Sequence, residues 1–169
     1  MDAVSELLSV PDVGATIGDS PFAVTATLDY LDVTWRLHTG APLVVLPGAN
    51  RTARLESDVH TPAELDGALN AIYEVLTRLN VPKGNGEGHG LTRLRSWCST
   101  NVDANDADRV EHAIDLLAAV IDLRNARQHN DTKPSRASER DACATLSIAW
   151  PIYDAPTTWR LVQSRCAYA

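Results

Sequence analysis

The sequence predicts a mainly α-helical bundle, and three observations carry that expectation. Apolar residues recur at spacings of three and four over several long stretches, the pattern that places them on one face of a helix. Capping residues and proline stand just ahead of those stretches, and glycine or proline stands just behind them. The one place where alternation would suit strands lacks a Gly or Asn turn to join them. With 169 residues, 44% of them hydrophobic, the chain is long enough for a single domain with a buried core.

Residues 1–60 read as an N-terminal extension of the least determined structure. Ser20 and Pro21 suit an N-cap and a first helical residue, Val24, Leu28, Leu31 and Trp35 share one face, and Gly40 suits a C-cap, so a helix is favoured. Phe22, Val24, Ala26, Leu28 and Tyr30 also alternate with polar residues, as do Leu31, Val33, Trp35 and Leu37, so a small β-hairpin stays open as the alternative. Leu43 to Leu46, between prolines, suits a short extended piece.

Residues 61–150 form the expected helical core. Thr61, Pro62 and Glu64 supply an N-cap, a proline at the first helical position and the returning carboxylate of a capping box. Leu65, Leu69, Ile72, Leu76 and Leu79 then make an apolar face that Val81 and Pro82 end. The segment PKGNGEGHG follows a helix rather than a strand and lacks the GK[ST] ending of a phosphate loop, so it reads as a connector. A short helix is expected over 91–98, and the longest over 104–128. DTKPS breaks the chain before a further helix over 136–149, stopped by Trp150 and Pro151. Residues 151–169 close the fold, with Trp159, Val162 and Cys166 at helical spacing.

Composition narrows the function classes. The net charge of −7 argues against sequence-independent nucleic-acid binding, which draws its affinity from basic surface. The acidity is uneven: residues 1–89 hold 5 Lys and Arg against 12 Asp and Glu, whereas residues 90–169 hold 10 of each. Between Arg124 and Arg140 the balance is positive, with Arg124, Arg127, Lys133, Arg136 and Arg140 against Asp131 and Glu139. Cys98, Cys143 and Cys166 are an odd number without metal-ligand spacing and read as reduced, partly buried thiols. His38, His60, His89 and His112 are scattered, so no metal or other cofactor is expected. The four tryptophans fit core packing better than base stacking. MDAVSELLSV lacks the basic region and apolar core of a signal peptide and no apolar run approaches 18 residues, so a cytoplasmic protein without a membrane span is expected.

The richest stretch is LRNARQHND, residues 123–131, at the end of the longest helix. Arginine offers a permanent planar cation suited to phosphate, and histidine is the side chain that exchanges protons near neutrality. Val110, Ile114, Leu117 and Ile121 recur at spacings of four and three, and the same register continues to Arg124 and Gln128. A guanidinium on the extension of a packing stripe should face a partner or a cleft. Asn125 and His129, four apart, should stack so that Asn125 orients His129.

Arg124, Asn125 and His129 in RNARQH resemble the motif of the HEPN superfamily: an arginine, a polar residue that is often asparagine, and a histidine four to six positions beyond the arginine near a helix end. The resemblance spans at most residues 61–150. It implies an all-helical domain, and many such domains are metal-independent ribonucleases or toxins. Family chemistry would have the RNA 2′-hydroxyl attack the adjacent phosphate, with His129 moving a proton, Arg124 neutralising charge and Asn125 holding His129 or the substrate. Arg127, Gln128, Lys133 and Arg136 would bind the substrate. Family members usually bring two motifs into one cleft across a dimer, which implies a homodimer built on the Val110-to-Arg124 seam, a toxin or phage-defence effector role, and an antitoxin or other regulatory protein as a further partner. The alternative is a non-catalytic helical module for dimerisation or partner binding, which would look the same in sequence.

Overall fold

The computed structural model describes residues 23–46, 48–82, 87–129 and 133–169. Among these are seven α-helices and no strand: α1 (Ala23–Thr39), α2 (Ala49–Glu56), α3 (Pro62–Thr77), α4 (Gly90–Asn101), α5 (Ala107–Gln128), α6 (Lys133–Leu146) and α7 (Ala155–Tyr168). The hairpin alternative for the N-terminal third is thereby removed in favour of the helix. Val24 and Trp35 turn inward at 3% and 6% exposure, while the intervening Tyr30 and Val33 stay outside. Gly40 stops α1 in the left-handed region at φ 76°, donating its N–H to the Arg36 carbonyl at 2.8 Å. The proposed start at Ser20 and Pro21 lies outside the described residues.

Nothing in the sequence marks α2, because ANRTARLE holds one large apolar side chain and no repeating apolar face. Tertiary contacts hold it instead. Leu55 is fully buried, Gln163 Nε2 donates to the Leu55 carbonyl at 2.9 Å, and Trp159 Nε1 donates to the Ser57 carbonyl at 3.1 Å. A helix of eight residues, too short to be stable alone, is thus tied to α7 at its last turn.

α3 begins with the expected capping box. Glu64 N donates to Thr61 Oγ1 at 3.2 Å, and Thr61 N donates back to Glu64 Oε2 at 2.9 Å. Leu65, Leu69, Ile72 and Leu76 are buried as the spacing requires, but the helix ends at Thr77, before Leu79 and Val81. Those two stay buried because Asn80 is pinned to the α1–α2 connection, its N–H donating to the Leu43 carbonyl at 2.7 Å and its Nδ2 to the Pro42 carbonyl at 3.0 Å.

α4 crosses the end of α3 at Gly90. A Cβ there would overlap the Leu79 amide nitrogen and come within 2.9 Å of the Leu76 carbonyl oxygen, so only glycine allows this approach. α5 is the central helix and packs on α3, α4, α6 and α7. Its buried residues, Ile114, Leu116, Ala119, Val120, Ile121, Leu123 and Ala126, spread round most of its circumference rather than along one stripe.

α6 is displaced from its expected position by three residues at each end. It starts at Lys133, because Pro134 fits the first turn, where a missing N–H is no loss. It ends at Leu146, because Ser147 adopts φ 58° and the Ile148 N–H turns back to the Cys143 carbonyl at 2.8 Å. α7 is capped by Asp154, whose Oδ1 accepts from Thr157 N at 3.0 Å. One apolar core runs from Trp35 through Leu55, Leu69 and Val120 to Trp159 and Val162, so helices before residue 61 share it. No helix among the described residues is long and apolar enough to cross a membrane.

Candidate phosphate site at the end of α5

α3 and α5 pack with a polar seam at one end, and the Arg-Asn-x3-His stretch supplies the α5 side of it. Arg124 is half-buried. Its Nε donates to Asn70 Oδ1 at 2.7 Å, its Nη1 donates to Asn125 Oδ1 at 3.0 Å, and its guanidinium carbon lies 4.1 Å from the centre of the Tyr73 ring. Gln128 Nε2 donates to the same Asn70 oxygen at 2.9 Å. Each of these partners is neutral. Among the described residues no carboxylate lies within ion-pair distance of Arg124, so its charge is oriented without being cancelled.

Arg127 is held quite differently. Its Nε donates to Asp66 Oδ1 at 2.6 Å and its Nη1 to Glu139 Oε1 at 3.4 Å, with only 11% of the side chain exposed. Arg127 was expected on the substrate side. It is instead a neutralised tie between α3, α5 and α6. Glu139 also accepts from Trp150 Nε1 at 3.2 Å, which draws the α6–α7 connection to the same corner.

His129 stands at the C-cap of α5 with φ −115° and ψ 33°, and its N–H donates to the Ala126 carbonyl at 3.2 Å. Its ring is exposed and has no hydrogen-bond partner among the described residues. The expected Asn125–His129 pairing is absent among the described residues: His129 is the cap, where the backbone leaves the helical register, and the Asn125 oxygen turns to Arg124. Lys133 and Arg136, on the first turn of α6, are exposed and form no ion pair among the described residues. The structure thus brings Arg124, Asn125 and Gln128 together, sets His129 at the same helix end, and separates Arg127 from them by pairing it.

Three residues that complete the seam escaped the sequence reading: Asp66, Asn70 and Tyr73. They follow one another at spacings of four and three along α3, beside its apolar face, and meet α5 in reverse order, Asp66 with Arg127 and Asn70 with Arg124. That flanking stripe is the signal that could have found them.

Residues of the expected twofold seam on α5 also find partners within the chain. Ile114 and Ile121 are buried within this chain at 4% and 6% exposure, and Arg124 is received by α3 of the same chain. The polar continuation of the apolar register therefore has an intrachain cause. On the far side of α5, Arg95, Asp115, Asp122 and Asp141 edge a groove of about 550 Å³ floored by Ala118 and Ala119. Arg95 there is paired with Asp115 at 2.5 Å and Glu111 at 3.4 Å, leaving an acidic rim that disfavours phosphate.

The thiols stand apart from this chemistry. All three are free: burial pushes Cys143 up to about 11, with Glu139 adding to it, and burial pushes Cys166 up to about 12. Trp35 and Trp159 are core residues, Trp97 packs on Trp35 with the rings tilted at 56° and their centres 4.6 Å apart, and Trp150 is the exposed one. No group of three or more His, Cys, Asp or Glu suited to a metal occurs among the described residues.

No family model matches the chain, and no curated protein and no solved structure matches it either.

Proposed function

We propose that the α5 terminus binds an RNA phosphate and that the chain is a HEPN-like, metal-independent endoribonuclease, acting as a toxin or defence effector in the cytoplasm. The observation that carries this reading is the contrast between two arginines three residues apart. Arg127 is cancelled by two carboxylates, whereas Arg124 is fixed by two amide oxygens and an aromatic face and keeps its full charge. A cation held rigid by neutral groups is pre-arranged for an anion that arrives from outside.

The reaction would begin with the 2′-oxygen of RNA attacking the adjacent phosphorus. The P–O5′ bond breaks, the 5′-oxygen leaves with a proton, and a 2′,3′-cyclic phosphate remains. His129 moves the proton from its exposed position, and Arg124 meets the charge that develops on the non-bridging oxygens. Asn125 serves here by positioning Arg124 rather than His129. Gln128, Lys133 and Arg136 would follow the neighbouring backbone phosphates. Arg127 has no part in substrate binding in this account.

The test is incubation of the protein with total RNA and with transfer RNA in EDTA, beside Arg124→Lys and His129→Ala. Cleavage lost in both variants supports the reading; cleavage retained in both sinks it. A second reading, a non-catalytic interaction module, is favoured by one observation: Tyr30, Val33 and Leu37 form an apolar face on α1 that nothing among the described residues covers. A folded protein that cuts no RNA while still self-associating or binding a regulatory protein would support it.

A further inference from the structure

α1 carries two apolar stripes on opposite sides. Val24, Leu28 and Trp35 face the bundle, toward α2 and α7. Ala26, Tyr30, Val33 and Leu37, spaced four, three and four, fall within about 60° of one another and roughly 180° from the first stripe. All four are exposed: Tyr30 to 58%, Val33 to 56% and Leu37 to 82%. A helix that is apolar on both sides is built to be covered on both.

The flanks of the outer stripe say what covers it. One flank carries Asp29 and Arg36, both exposed, toward opposite ends of the stripe, and the other carries the neutral Thr27 and Thr34. Arg36 Nε donates to Asp32 Oδ2 at 2.6 Å, yet its side chain remains 56% exposed. In an antiparallel pair of such helices, matching flanks meet. With a twofold axis near residues 31–32, Tyr30 packs on Val33 of the second copy, Leu37 packs on Ala26, and Asp29 lies opposite Arg36. Symmetry repeats each contact. A parallel pair would instead set Asp29 against Thr34 and give neither charge an opposite charge across the interface.

We propose that a second copy of this chain docks on the outer face of α1, the two α1 helices packed antiparallel through Ala26, Tyr30, Val33 and Leu37, with Asp29 and Arg36 paired reciprocally. This interface is distinct from the α5 terminus and does not depend on the ribonuclease reading.

Sedimentation velocity of the full chain at tens of micromolar should give a dimer. Val33→Glu, at an exposed position, should give a monomer of unchanged helicity by circular dichroism. Asp29→Arg and Arg36→Asp should each weaken self-association by about tenfold or more, since each turns two attractions into two repulsions. Mixing these two variants in equal amounts, or combining them in one chain, should restore the dimer. A monomeric full chain would overturn the proposal and leave the face to residues 1–22 or to another protein. So would a dimer indifferent to Val33→Glu, or one that the mixed charge variants fail to restore.

Discussion

Arg124 and Arg127 show how little of a side chain's role is fixed by its type. Both are arginines near one helix end, but one meets carboxylates and the other meets amides and a ring. Arg124 also contributes to the fold: replacing it by Ala removes a cation–π contact and two hydrogen bonds and should cost about 1 to 3 kcal/mol in chemical denaturation. Arg124→Lys is therefore the better probe, because it keeps the charge and loses the planar fork. His129→Ala should leave the thermal midpoint within about 2 °C, since an exposed ring contributes little to stability. Cys143, pushed up to about 11 chiefly by burial, should resist a thiol reagent at pH 8 in the folded protein and react once it is unfolded. From the sequence the direction of Arg124 was legible, because its register continues a packing stripe. Its partners were not, because Asn70 and Tyr73 lie more than fifty residues away and only the packing of α3 on α5 brings them close.

Elements with their own local signals were read well. α3 declares its start through Thr61, Pro62 and Glu64 and its buried face through the leucine spacing, and the structure follows both. Thr61→Ala should cost about 1 kcal/mol as the cap is lost. The Glu64 carboxyl is held below its ordinary range, first by the His60 amide and then by the Thr61 hydroxyl and amide. A lowered folded-state value means that its stabilising effect is whole above the ordinary carboxylate range and is lost as pH falls through that range and below it, so acid titration should release this cap. α2 illustrates the opposite case. Its sequence has no repeating apolar face, Leu55 anchors it in the core, and its end is fastened by Trp159 and Gln163 from more than a hundred residues away. α6 lies three residues ahead of its expected position because Pro134 stands in a first turn instead of breaking the chain. Gly90→Ala should destabilise the α3–α4 crossing markedly in thermal unfolding, because the added carbon meets backbone that cannot give way.

At the scale of the whole molecule, α5 joins the core to the candidate site. Its middle is packed on four other helices and its end carries the polar seam, so the site sits on a rigid element. Leu123→Ala, at a fully buried position one residue before Arg124, should cost about 2 to 5 kcal/mol through lost burial and a cavity. In a chain of net charge −7, the α5–α6 corner offers Arg124, Lys133 and Arg136, which stand without carboxylate partners among the described residues. RNA binding there should weaken only gently with salt, in keeping with few phosphate contacts. The central claim is that this corner cuts RNA by 2′-hydroxyl attack, and end-group analysis of the cleavage products tests it most directly. In EDTA, wild-type protein should convert RNA to fragments ending in 2′,3′-cyclic phosphate or its hydrolysis product, leave the same sequence made as DNA or with a 2′-O-methyl at the cut site intact, and lose this activity in His129→Ala. Fragments ending in 3′-hydroxyl, equal cutting of DNA, or undiminished cleavage by folded His129→Ala would contradict it.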